Sequence, residues 1–154
     1  MKNTILSAIA VLVFSMAFVT KSTAQKDQLE KTWYTTENSS KVQMYIANNG
    51  TFCGKIIWLK EPTDEKTGKP KLDKENPDEK SRNTPILGMV IMTGFKKNPD
   101  KQNEYIDGRI YDPKKGKTYC GKITFNGNTL DMRGYLCSLT FLGRTETWTL
   151  VEGQ

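Results

Sequence analysis

Histidine is absent from the chain. That removes the commonest general base and the commonest zinc ligand. Cysteine is scarce, at Cys53, Cys120 and Cys137, and three thiols form at most one intrachain bridge with one left over. There is no nucleophile elbow, phosphate loop or metal-ligand cluster in the sequence. No cofactor and no metal are therefore expected, and catalysis is not the expected role. Basic residues form no stripe with interleaved aromatics, which argues against nucleic acid as a partner. Past the N-terminus there is no long apolar run, so an integral membrane protein is not expected.

The N-terminus reads as an export signal over residues 1–24. Lys2 supplies a positive start, Ile5 to Val19 an apolar run, and Ser22-Thr23-Ala24 a small-residue cleavage site. The apolar run is short for a bilayer crossing, which takes about 20 residues. Gln25 becomes the first mature residue, and no Cys follows the cleavage site to carry a lipid anchor. Losing Lys2 and Lys21 lowers the formal charge from +6 to +4. The expected location is periplasmic or secreted. Residues 25–154 then make one domain with one core.

Short alternating runs broken by turn signals fill this domain, which is an all-β pattern. Eight strands are expected, at 31–36, 41–48, 51–59, 86–95, 103–111, 117–125, 129–137 and 143–151. Asn48-Asn49-Gly50 and Asn126-Gly127 suit tight hairpins, and Asp112-Pro113-Lys114-Lys115-Gly116 a longer one. Eight antiparallel strands close into a barrel just wide enough for side chains or one small ligand. Residues 60–84 form a long charged loop. Between Lys60 and Arg82 seven basic residues balance seven acidic ones. A solvated loop is favoured over a lid.

Alternation divides each strand into two faces. The apolar face carries Trp33, Val42, Met44, Phe52, Ile56, Trp58, Ile106, Ile110, Tyr119, Ile123, Leu130, Met132, Leu136 and Trp148, together with Arg144 and Glu146. Four glycines, at 54, 108, 121 and 134, lie on the same face. They either vacate volume for a ligand or permit bending and make room for bulky neighbours, and the second reading is favoured. Trp58, Met132, Leu136, Glu146 and Trp148 are the candidate lining of a ligand site. Arg144 over the face of Trp33 would latch the last strand to the first; the alternative is a contact to a ligand's polar head. Strand 86–95 is apolar on both faces, so the long loop or a second copy must cover it, and a homodimer through this strand is one outcome. With a two-residue Asn126-Gly127 turn, Cys120 lies opposite Arg133 and more than about 10 Å from Cys137, which argues against any bridge. If one forms, Cys120–Cys137 is the best pairing.

These residues add up to a resemblance. Asn76-Pro77-Asp78, Arg82, Pro85-Ile86-Leu87-Gly88, Gly108-Arg109-Ile110-Tyr111-Asp112-Pro113, Gly116-Lys117-Thr118-Tyr119, Arg133-Gly134-Tyr135 and Gly143-Arg144-Thr145-Glu146-Thr147-Trp148 resemble the bacterial "domain of unknown function 2147" family of exported proteins. The resemblance implies a lipocalin-like, calycin-type barrel in which a first-strand Trp packs on a last-strand Arg, the places of Trp33 and Arg144. Tyr105 and Leu150 depart from the pattern, where a Trp and a basic residue are expected. The family supplies an architecture more than an activity. The expected function is binding of a small apolar or lipid-like ligand in the cell envelope. The alternative is an envelope interaction or structural protein acting through the 60–95 surface without a ligand. The Asn76-Pro77-Asp78 and Arg82 group is expected to plug the long loop onto the barrel end.

Overall fold

A computed structural model describes residues 26–153, so the export signal expected over residues 1–24 lies outside the described residues. Eight antiparallel strands form a closed barrel in simple sequence order: β1 (Thr32–Tyr34), β2 (Ser40–Ile46), β3 (Phe52–Leu59), β4 (Val90–Asn98), β5 (Lys101–Asp112), β6 (Lys117–Phe125), β7 (Thr129–Leu136) and β8 (Leu139–Leu150). The expected all-β barrel of eight strands is the observed one. Tight turns form where the sequence placed them. Gly50 and Gly127 adopt φ of 78° and 76°, which an L side chain rarely tolerates.

One half of the barrel is solid. Trp33, Val42, Met44, Phe52, Met92, Phe95, Tyr105, Ile123 and Leu130 are buried there. Three of the four inward glycines exist to admit this packing. A Cβ on Gly108 would lie 2.3 Å from the Phe95 ring, and one on Gly121 would lie 2.7 Å from Ile110 and 2.8 Å from Phe95. A Cβ on Gly54 would meet the Met44 sulfur at 2.8 Å. Gly134 differs, because its Cβ would find nothing closer than 3.9 Å.

The N-terminal turn closes this end. Leu29 is fully buried beneath Trp33, whose Nε1 donates to the Leu29 carbonyl at 3.2 Å. Trp33 packs edge-on to Phe125 at 6.1 Å, with the Lys31 ammonium 6.0 Å from the Phe125 ring centre. Asp27 accepts from the Tyr105 hydroxyl at 2.5 Å and from the Leu29 N–H at 2.9 Å, and pairs with Lys97 at 2.6 Å. Burial by itself raises the Asp27 pKa. The hydrogen bonds from Lys97, Tyr105 and Leu29 outweigh it and hold the carboxyl below its ordinary value.

Several expectations fail where a bulge flips the side-chain parity. Tyr105, not Ile106, points into the core, because Asp107 (φ 64°) is an extra residue between Tyr105↔Ile123 and Gly108↔Gly121. Strand 86–95 begins instead at Val90. Ile86–Met89 turn, with the Ile86 N–H on Lys71 O and the Gly88 N–H on Ile56 O. An extra residue between Lys55↔Val90 and Gly54↔Met92 then turns both Ile91 and Met92 inward. The double-faced apolar load is thus largely absorbed by the fold; of its large apolar residues Leu87 and Val90 stay exposed.

The Trp33–Arg144 latch is absent. β1 is three residues long and meets β8 at Leu150 and Thr149. Arg144 lies six residues back along β8, ~20 Å at ~3.3 Å per residue, opposite Gly134. It pairs with Glu146 instead.

Two predictions follow from the packed half. Gly108→Ala should destabilise by about 1–3 kcal/mol in urea unfolding, through overpacking against Phe95, whereas Gly134→Ala should stay within about 0.5 kcal/mol of wild type. The lowered Asp27 pKa means that its contribution is complete above the unfolded value of 3.8 and drains away as pH falls below it. Wild type should therefore lose more stability than Asp27→Asn between pH 7 and pH 3, roughly spanning that titration; equal losses would contradict the assignment.

Candidate functional site

The other half of the barrel is hollow. A cavity of about 900 Å³ opens at the end where β4, β6 and β8 begin. Its wall is apolar: Ile56 and Leu59 from β3, Ile91 from β4, Ile110 from β5, Met132 from β7 and Trp148 from β8, with Ile86 from the loop. Tyr111 and Tyr119 add aromatic faces carrying hydroxyls. Glu37, Lys60, Glu61, Lys71, Asp112, Lys114, Lys115, Arg144 and Glu146 surround the mouth. Gly134 contributes bare backbone to the wall, so it is the one inward glycine that leaves volume open.

Met132, Glu146 and Trp148 line this cavity as the alternation implied. Consecutive cross-strand pairs Leu130↔Trp148, Met132↔Glu146 and Gly134↔Arg144 put Trp148 deepest, then Glu146, then Arg144 at the rim. Arg144 and Glu146 form an ion pair there. The Trp148 Nε1 is buried without a hydrogen-bond acceptor among the described residues. An unsatisfied buried donor costs about 1–3 kcal/mol.

Trp58 and Leu136 do not belong to the site. Ile57 is an extra residue between Val42↔Ile56 and Lys41↔Trp58, so Trp58 turns to the outer wall and Leu59 takes the inward place. Outside, Trp58 packs edge-on to Tyr34 at 6.3 Å, with the Lys41 ammonium 5.4 Å from its ring centre. Leu136 is 44% exposed at the end of β7, where the β7–β8 register breaks. Sequence reasoning missed Leu59 and Ile91 as cavity lining, because both follow parity shifts. It also missed Ile86, which arrives from a loop.

The charged loop is a folded strap beside the mouth, bordering it through Lys60, Glu61 and Lys71. Bridges Thr63↔Pro70 and Leu72↔Pro85 and a 3-10 turn at Glu79–Ser81 give it structure. Its anchor is Asp73, fully buried, accepting from Tyr111 Oη at 2.8 Å and from Asn76 Nδ2 at 2.6 Å. Burial and the Asp73 hydrogen bond push the Tyr111 pKa up to about 12. Arg82 Nε donates to Asn76 O at 2.9 Å, and Asp78 Oδ1 accepts from the Lys80 N–H at 3.1 Å. The Asn76-Pro77-Asp78 and Arg82 group thus knits the strap together through bonds that stay within it, and the tie to the barrel end runs through Asp73 and Tyr111. Gly116 lets the strap approach: a Cβ there would lie 1.7 Å from Glu75 O. Although most of the loop is exposed, Glu61, Lys71 and Ile86 border the cavity.

A disulfide joins Cys120 to Cys137, with Cα atoms 5.1 Å apart, while Cys53 is free and buried. The expected register against a bridge is off by two residues. The β6–β7 hairpin closes with the Asn126 N–H on Thr129 O, so Phe125 faces Leu130 and Cys120 faces Tyr135. Cys137 is then two residues beyond the partner of Cys120 instead of four.

Among the described residues no cluster of His, Cys, Asp or Glu could hold a metal ion, and no helix is long and apolar enough to cross a membrane.

Residues 31–150 match a bacterial family described as uncharacterized proteins conserved in bacteria, domain of unknown function 2147. The chain belongs to this family. A solved structure, protein HP1028 from the human pathogen Helicobacter pylori, described as belonging to the lipocalin family, is also similar. It is 27% identical, the match covers 82% of this chain and 85% of that one, and the TM-score is 0.68. No curated protein matches. The barrel of this family member is lipocalin-like in strand number, strand order and closure.

The bridge closes a 17-residue separation. Replacing Cys120 and Cys137 together by Ser should lower unfolding stability by about 2–4 kcal/mol, an effect that reducing agent should reproduce in wild type and leave unchanged in the double variant.

Proposed function

We propose that this protein is an exported binding protein that takes one small, predominantly apolar, lipid-like molecule into the open half of its barrel. The observation that carries the reading is the cavity itself. Its volume of about 900 Å³ lies within the range of sites for small organic ligands. Its chemistry is graded along one strand. Trp148 offers an apolar face inside the barrel, Glu146 follows, and Arg144 meets solvent at the rim. An amphipathic molecule matches that gradient, with its apolar body inside and its polar end among the rim charges. The unpartnered Trp148 Nε1 gives the wall a donor for an acceptor atom on the ligand. The likeness to a lipocalin supports the same reading, since eight-stranded barrels of that type have room for one such molecule. Export to the cell envelope, read from residues 1–24, would bring the barrel among lipids. The role proposed is binding, without catalysis.

Gly134 supplies the test. A Cβ there would meet nothing closer than 3.9 Å and the position borders the cavity, so a larger side chain has open volume to enter. Wild type should bind a fluorescent fatty-acid probe, and protein isolated from its own source should carry a lipid-like mass in native mass spectrometry. Gly134→Phe should keep the thermal transition and lose probe binding by ~10-fold or more, the cost of filling the apolar site. A wild type that binds no apolar probe and carries no added mass would end the proposal, as would undiminished binding by Gly134→Phe.

A further inference from the structure

The β7–β8 hairpin departs from the rest of the barrel. Tyr135 pairs with Gly143 but Leu136 pairs with Leu139, so Thr140, Phe141 and Leu142 are looped out without partners on β7. Arg133 Nη2 holds the excursion by donating to Thr140 O at 3.2 Å. The looped stretch and its flanks are apolar and exposed: Leu136 by 44%, Leu139 by 41%, Phe141 by 74% and Leu142 by 47%. The other large apolar residues exposed on the described surface are Ile46, Ile57, Trp58, Leu87 and Val90; of these Trp58 is packed on Tyr34 and Lys41. At the hairpin four share one tip. The Cys120–Cys137 bridge fixes that tip to β6, so the apolar surface is held out rigidly.

The setting of the tip defines its partner. It stands at the mouth of the cavity, which Leu142 and Arg144 both border. Beside it, across the disulfide, runs the β5–β6 turn with Lys114, Lys115 and Lys117. Arg133 and Arg144 add positive charge on the hairpin itself, and Lys60 and Lys71 border the same mouth, against Glu37, Glu61, Asp112 and Glu146. The mouth with its turn and hairpin therefore keeps a net positive charge around exposed Phe and Leu. Apolar side chains flanked by Lys and Arg match an anionic bilayer surface, where the rings and alkyl groups enter the headgroup boundary and the cations face the lipid phosphates. The strap, which packs against the β5–β6 turn at Gly116, balances its own charges, and its large apolar residues form no comparable exposed tip.

We infer that the β7–β8 hairpin tip, with the basic β5–β6 turn, docks the protein on an anionic lipid bilayer with the mouth of the barrel facing the membrane. This goes beyond the binding reading and does not depend on it, since the surface would engage a membrane whether or not the cavity takes a ligand.

All eight strands of the closed sheet lie within the described residues and Gln25 is the expected first mature residue, so the chain from Gln25 onward is the form to test. It should co-sediment with phosphatidylcholine vesicles containing roughly 30% phosphatidylglycerol and only weakly with phosphatidylcholine alone. Raising salt to about 0.5 M should weaken the binding by screening. Leu139 and Phe141 do not line the cavity, so the double variant Leu139→Ser, Phe141→Ser should fold and take up the fatty-acid probe as wild type does. Its vesicle binding should fall ~10-fold or more. Lys117→Glu should lower binding to the anionic vesicles alone. Equal binding to the two vesicle types, wild type left in the supernatant with both, or unchanged binding by the double variant would each overturn the inference. A wild-type dimer that the double variant converts to monomer would overturn it too, by assigning the tip to a protein interface. Failure of probe uptake with intact vesicle binding would count against the cavity and leave the docking surface standing.

Discussion

The Phe95 ring, seated against the bare backbones of Gly108 and Gly121, divides the barrel into two unlike halves. An eight-stranded barrel has space inside for side chains or for one small ligand, and this one does both along its length. Below Phe95 the interior is filled by Phe52, Tyr105 and Ile123, with Trp33, Met44 and Met92 packed in the same core, and the N-terminal turn seals it. Above it the inward residues are spaced by Gly134 and the wall opens to solvent. The glycines at 108 and 121 belong to the solid half even though they lie in a row with Gly134. Whether a glycine makes room for a neighbour or for a ligand is decided by what stands opposite it. For three of the four, a protein side chain stands there.

The open half is organised by connections rather than by strands. The strap between β3 and β4 is tied down through Asp73 and Tyr111 and passes over Gly116. The disulfide fixes the end of β7 to β6. Since β1 is short, Leu139–Trp148 of β8 extend past its pairing toward the mouth, carrying Arg144 and Glu146 on their inner side. Ties at the rim and a packed floor hold the cavity open without requiring side chains to fill it, so the pocket is pre-formed.

Much of this was legible in the chain. Alternating runs, Asn-Gly turns and an even count of strands pointed to a closed antiparallel barrel, and Met132, Glu146 and Trp148 fall on one face by simple parity. What escaped has a common cause. A period of two carries no mark of a residue inserted into one strand, and each such residue reverses every assignment beyond it. Ile57 sent Trp58 outward and Leu59 inward; Asp107 exchanged Ile106 for Tyr105; Ile91 turned a strand that reads as two-faced into one with two consecutive inward residues. Gly94, with φ of 75°, marks another such site. The disulfide was hidden by a different ambiguity, since Asn126-Gly127 suits hairpins of more than one length and two residues of register separate a forbidden bridge from a formed one.

The sequence by itself determined the β architecture, the lack of histidine-based chemistry, the apolar lining on β7 and β8 and the family to which the chain belongs. These are local or additive properties, set by residue type and spacing. Only the tertiary structure decided that Arg144 pairs with Glu146 at the rim and not with Trp33, because that depends on how far β1 reaches along β8. It alone separated the glycine that borders the cavity from the three that admit core side chains, since that is a question of what comes within about 3 Å of a missing Cβ.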